Sequence, residues 1–105
     1  MVRGEVFRLR VPRGTRDSEQ RGARYVVLVQ ADELLALSTV LVSPTSTAAP
    51  PRSFRPTIDL EGSPTRVLVE QTTAVSPERL RDSVGRLSAS ELRELDTALA
   101  LVLGL

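Results

Sequence analysis

The sequence predicts a small, mainly β protein closed by one C-terminal helix, an α+β arrangement in which short antiparallel strands curl into a barrel. Three observations predict it. Five segments between residues 5 and 71 are β-branched or alternate apolar with polar residues, and Gly, Pro, Ser and Thr punctuate most of the gaps between them. The last strong pattern, residues 88–103, has helical spacing instead. At 105 residues the chain fits one domain, 1–105, around one core.

In "EVFRLRV", Phe7, Leu9 and Val11 share one parity and Arg8 and Arg10 the other, the period of a strand with one wet face. "PRGTRDSEQRGA" follows as a polar, Pro- and Gly-containing connection, longer than an ordinary hairpin loop. "RYVVLVQ" is continuously apolar from Val26 to Val29, which suits a strand covered on both faces. "ADELLAL" suits a short helical turn and "STVLVS" a third strand, ahead of the stiff Pro/Ser/Thr loop "PTSTAAPPRS". In "FRPTIDL" the residues Phe54, Ile58 and Leu60 share a parity, so an edge strand tolerating Pro56 is expected, with Phe54 directed to the core. "EGSP" turns the chain into a further strand, "TRVLVEQ". A brief helix is expected from Ser76 as N-cap and Pro77 at the first position, ending at Gly85. The main helix opens with Ser88 and Glu91 spaced as a capping box and carries Leu92, Leu95, Leu99 and Val102 along one face.

Composition narrows the chemistry. The absence of Cys and His removes disulfides, thiolate zinc sites, nucleophilic cysteine and histidine acid–base pairs. All 14 basic residues are arginine, and seven of them fall within residues 1–30, whereas residues 67–105 carry Glu70, Glu78, Asp82, Glu91, Glu94 and Asp96 against four Arg. With a net charge of only +1, this polarity favours a local anionic ligand over broad nucleic-acid binding. Neither a run long enough to span a bilayer nor a signal-like N-terminus is present, so a cytoplasmic location is expected. The few aromatic residues, Phe7, Tyr25 and Phe54, make a thin core that would gain from oligomerisation.

Taken together and in order, "RGEV", "SEQRGARYVVLVQ", "TVLVSPTST", "RVLVEQ" and "GRLSASELRELDTALALVLGL" resemble the MazF/PemK family of toxin–antitoxin endoribonucleases over essentially the whole chain. The resemblance implies an SH3-like antiparallel barrel that acts as a homodimer. It further implies cleavage of single-stranded RNA at short sequences without metal or cofactor, under restraint by a MazE-type antitoxin. The family's Ser-Glu-Gln stretch after the first strand is matched by Ser18, Glu19 and Gln20, and its arginine before the second strand by Arg24. Its Pro–apolar–Thr–Ser segment is matched by Pro44, Thr45, Ser46 and Thr47, which puts Ser46 at the usual position of the catalytic hydroxyl. Here Tyr25 replaces a customary proline, Ser46 a customary threonine, and Thr72 and Thr73 an Ile-Arg pair.

These residue types suit metal-free RNA cleavage, in which the 2′-hydroxyl attacks the adjacent phosphate. The fork of Arg24 matches phosphate oxygens and offsets the charge of the phosphorane. Ser46, or Thr45 or Thr47 beside it, can donate hydrogen bonds to the same oxygens, and Glu19 is the carboxylate nearest Arg24 in sequence that could act as base. Gln20 and Gln71 carry amides able to read base edges. The competing reading is a non-catalytic toxin of the related CcdB type that binds DNA gyrase; the "SEQ…R" and "PTST" segments have no role in that activity and favour the nuclease.

Overall fold

The computed structural model describes residues 1–10 and 24–105. Among these, the chain forms β1 (Glu5–Leu9), β2 (Arg24–Leu28), β3 (Val40–Ser46), β4 (Thr57–Leu60), β5 (Ser63–Val67), β6 (Thr73–Val75), β7 (Leu80–Arg86) and α1 (Ala89–Leu103). Every strand pairing is antiparallel, in the order β4-β5-β3-β2-β1-β7, with β6 also pairing β3. The fold class expected from sequence, a curled antiparallel sheet with a C-terminal helix, is the one observed.

β2 separates two cores, as its unbroken apolar run requires. Val27 and Val29 pack with Val6, Ile58, Leu60, Val67, Val69, Leu87, Leu95 and Ala98, beneath α1. Val26 and Leu28 face the other way, toward Phe7, Leu9, Val40, Val42 and Val75. Each such side chain contributes roughly 1.5–3 kcal/mol on burial, so two modest aliphatic cores stand in for one aromatic-rich core.

β3 holds the sheet together along both of its edges. One edge meets β2 from Val42 to Pro44, while the other meets β6 at Val40 to Val42 and β5 at Thr45 and Ser46. Pro44 has no N–H to give and sits where the outer neighbour changes from β6 to β5; its carbonyl accepts from the Leu68 N–H at 2.8 Å. Thr72 donates to the Val69 carbonyl (2.7 Å), so in the 2.6 Å contact between the Ser43 and Thr72 hydroxyls the buried Ser43 is the donor.

Local turn chemistry behaves as read. Glu61 (φ 52°) and Gly62 (φ 85°) form a two-residue connection between Leu60 and Ser63, both with positive φ, as a tight antiparallel hairpin demands. The Ser88–Glu91 capping box is complete: Ser88 Oγ accepts from the Glu91 N–H (3.2 Å), and Glu91 Oε1 accepts from the Ser88 N–H (2.8 Å). Glu91 Oε2 also accepts from the Asp59 N–H (2.8 Å), clipping the helix start to β4.

Four expectations are corrected. The brief helix of residues 76–85 is a single 3-10 turn, Pro77–Arg79, followed by β7. Ser76 makes no side-chain cap, and β7 pairs with β1 through two register shifts. The bulged strand sends Leu80 into one core and Val84 into the other, which the same face of a helix cannot do. The strand expected from residue 54 begins only at Thr57, after Pro56, and Phe54 lies half-buried outside both cores. The strand expected over 65–71 occupies Ser63–Val67 and gives way to a 3-10 turn at Val69–Gln71. On α1, Leu95 and Ala98 carry the buried face with Leu92 and Leu99 packed beside them, whereas Val102 is 38% exposed.

Gly4 joins the two ends of the fold. It adopts φ +90°, its N–H donates to the Leu28 carbonyl (2.7 Å), its carbonyl accepts from Leu87 (2.9 Å), and a Cβ there would stand 2.9 Å from Leu92 Cδ2. Gly4→Ala is expected to cost about 1–2 kcal/mol from backbone conformation alone, seen as a lower urea midpoint with unchanged slope.

Two carboxylates link this frame to pH. The Ser83 hydroxyl holds Glu5 below the usual range against partial burial, helped by the Val2 N–H, the N-terminal ammonium and Arg86. Burial opposes the charge of Glu91, but the Ser88 and Asp59 donors outweigh it and lower its pKa. Both groups are therefore more acidic folded than unfolded, so their contribution is present above the ordinary Glu value and lost as pH falls through the folded one. The melting temperature should fall as pH drops below about 4, and less steeply in Glu91→Gln, whose starting stability is lower.

Candidate active site

The open ends of β2 and β3 form one wall of a cleft of about 880 Å³. Its described lining includes Arg24, Tyr25, Thr45, Ser46, Thr47 and Gln71, with Glu61, Ser63 and Thr65 from the β4–β5 hairpin opposite. Five of the seven residues singled out in the sequence thus meet in one place: Arg24, Thr45, Ser46, Thr47 and Gln71. Glu19 and Gln20 lie outside the described residues.

The pairing register explains the convergence. Val26 faces Pro44, Val27 faces Ser43 and Leu28 faces Val42, and Arg24 and Ser46 lie just beyond the last of these pairs, at the same end of the two strands. Strand alternation puts Arg24 and Ser46 on one face and Tyr25 and Thr45 on the other. Arg24 is half-buried, its backbone held by β2, and none of the ion pairs among the described residues engages it. On the reverse face the Arg8 guanidinium stands over the Tyr25 ring, 5.5 Å from its centre.

The three hydroxyls differ in what they can do. Thr45 Oγ1 donates to the Tyr25 carbonyl at 2.9 Å, so its proton is committed to holding β2 against β3. Ser46 Oγ accepts from the Ala48 and Ala49 N–H groups at 3.1 and 3.0 Å. Those bonds turn the chain after β3 and leave the hydroxyl proton free to be donated, with the oxygen polarised by two donors. Thr47 is exposed.

Arg55 secures the connection between β3 and β4. It donates through Nε (2.9 Å) and Nη2 (2.7 Å) to Glu70 Oε2, and it lies 5.4 Å from the Phe54 ring centre. Burial disfavours the Glu70 charge, yet the Arg55 guanidinium prevails and holds the carboxyl below its usual range. This arginine is thereby matched by a neighbouring anion. Among the described residues no group of three or more His, Cys, Asp or Glu is positioned as a metal site, and no helix is long and apolar enough to cross a membrane.

Sequence reading missed the hairpin side of the cleft. Thr65 is buried and donates to the Ser63 carbonyl at 3.0 Å. A polar residue on the core parity of "SPTRV" was its available signal.

The structure is thus of the small, curled antiparallel-sheet class with a cleft that holds an arginine and a hydroxyl, and comparison gives the family. The model of the PemK-like, MazF-like toxins of type II toxin–antitoxin systems matches residues 2–103, and the chain belongs to that family. It is 36% identical over 106 aligned positions to Rv3098A of Mycobacterium tuberculosis, a candidate toxin, covering 100% of this chain and 99% of that protein. Among solved structures, an endoribonuclease in complex with its cognate antitoxin from a mycobacterial species superposes with TM-score 0.81 at 19% identity, covering 100% of this chain and 96% of that one. The M. tuberculosis toxin MazF-mt6 gives 0.78 at 19% identity, covering 96% and 97%, and MazF from Deinococcus radiodurans gives 0.77 at 19%, covering 100% and 97%. At these identities the likeness is one of fold.

The role of Ser46 in the turn has its own consequence. Ser46→Ala should speed amide hydrogen exchange at Ala48 and Ala49 by about 10-fold, the loss of a hydrogen bond of roughly 1–1.5 kcal/mol, with exchange in β1 and β2 unchanged.

Proposed function

We propose that the protein is the toxin of a type II toxin–antitoxin pair and acts as a sequence-specific endoribonuclease on single-stranded RNA, without a metal ion. The observation that carries this reading is the pairing of Arg24 with a polarised Ser46 hydroxyl at the mouth of one cleft. In the reaction the RNA 2′-hydroxyl attacks the adjacent phosphorus. The O2′–P bond forms as the P–O5′ bond breaks, leaving a 2′,3′-cyclic phosphate and a 5′-hydroxyl. Glu19 takes the 2′ proton, and the departing 5′ oxygen gains one from water. Arg24 offsets the extra negative charge as it develops, and Ser46 donates to a non-bridging oxygen. Thr45 keeps the two strand ends in register. The hydroxyl of Thr47 and the amides of Gln20 and Gln71 read unstacked bases of the substrate.

An antitoxin of MazE type restrains this activity, as an extended acidic segment ordering on an arginine-bearing surface. The solved relatives described with a cognate antitoxin support that partner. The active unit is a homodimer. Leu101, Leu103 and Leu105 at the end of α1, and Leu34, Leu37 and Leu41 elsewhere, are exposed apolar side chains that a second copy would cover. The reaction takes place in the cytoplasm, where RNA and antitoxin meet.

In excess chelator, purified protein should cut RNA at discrete sites with cyclic-phosphate ends. Arg24→Ala should lower kcat by about 10²–10³-fold. Ser46→Ala should lose more activity than Thr45→Ala, whose larger effect is on stability. Intact RNA with wild-type protein, in cells that nevertheless stop growing, would transfer the toxicity to a binding mechanism.

A further inference from the structure

Arg66 lies on β5 directly across from Ser46 on one side and Thr57 on the other. Cross-strand partners share a face, so Thr57, Arg66 and Ser46 form a row across three strands, and Arg24 lines the cleft together with Ser46. At about 4.8 Å per strand, the backbones of Arg66 and Ser46 are direct neighbours. Arg66 is only partly exposed, and its Nε is the buried side-chain polar atom left without a hydrogen-bond partner among the described residues. Such groups are exceptions in folded proteins; here the guanidinium is anchored at its inner nitrogen by burial, and no protein anion among the described ion pairs matches its charge. The ion pairs among the described residues engage Arg3, Arg55 and the N-terminus but leave Arg66 unmatched, and Asp59, diagonal to it on the same face, does not pair with it. Arg66 also stands outside the cleft lining, one strand beyond Ser46.

We propose that Arg66 is a phosphate-binding residue for the RNA backbone, gripping a phosphate that flanks the one being cleaved. The proposal rests on the nuclease reading. The substrate thus meets two guanidinium anchors, Arg24 in the cleft at the reacting phosphate and Arg66 one strand beyond the Ser46 hydroxyl. Through its fork, Arg66 sets the length of RNA needed for tight binding and the direction in which the strand crosses the sheet.

The test is steady-state cleavage of short RNA oligomers across a salt series by wild type, Arg66→Gln and Arg66→Lys, with folding checked by thermal melting. Arg66→Gln should raise KM about 10-fold at low salt, with kcat changed less than twofold. The log–log salt dependence of binding should become shallower by about 0.7, as for one lost phosphate contact on a single strand. Arg66→Lys should keep the salt slope while losing part of the affinity. A methylphosphonate at one flanking position should weaken wild type but leave Arg66→Gln unaffected. Equal KM and slope in wild type and Arg66→Gln, or a loss confined to kcat, would overturn the proposal. If Arg66→Gln does not fold, the wild-type methylphosphonate scan decides, and the proposal falls if no flanking phosphate matters. Wild-type protein that cuts no RNA at all defeats the nuclease reading itself, and this inference with it.

Discussion

The structure depends on one constraint, that β3 must satisfy three neighbouring strands with two edges. Its outer edge is divided between β6 and β5, and the division falls at Ser43 and Pro44. A proline in the middle of a fully paired strand would leave a ladder bond unmade. Here its missing donor coincides with the gap between two partners, and its carbonyl still finds Leu68. At this break β3 passes from one neighbour to the other, and just beyond it Thr45 and Ser46 pair with β5 and line the cleft.

Functional geometry follows from that break through short-range bonds. Thr45 spends its proton on β2 and so aligns the ends of two strands. Ser46 receives two backbone donors and so keeps its own proton available. The neighbours differ by one methyl group, yet one is suited to positioning and the other to donation. The same division holds among the arginines: Arg55 is matched by Glu70 and fixes a loop, whereas Arg24 and Arg66, both half-buried, have no anion among the described ion pairs.

Features set by local sequence were legible before the fold was known. The α1 cap needs only Ser88 and Glu91, the hairpin only Glu61 and Gly62, and the two-sided burial of β2 shows in its apolar run. The misread segment, residues 76–85, has a good helix start in Ser76-Pro77, but the open edge of β1 draws it into a strand. That pairing joins residues far apart in the chain, and no local propensity reports it. β6 is three residues long, too short for a periodic signal. At the site, Arg24 and Ser46 stood out because motif order carried them, while Thr65 and Arg66 sit in a segment whose apolar neighbours dominate its pattern. Their significance arises from pairing with β3 and β4.

The pairing of β1 with β7 also bears on the protein's synthesis. Glu5 faces Arg86, the Gly4 carbonyl accepts from the Leu87 N–H, and Arg3 forms an ion pair with Asp96 at 2.8 Å. β1 therefore waits for β7, some seventy-five residues later, before its outer edge is closed. While the chain is still emerging, β1 and β2 can form a hairpin, but the core beneath α1 has no cover. Such non-local closure slows folding and leaves apolar surface open in the interval. A toxin wired in this way acquires its fold only once β7 and α1 are available, and a chain that stops short of residue 80 keeps an uncovered sheet edge and lacks Leu87, Leu95 and Ala98 from the core beneath the helix.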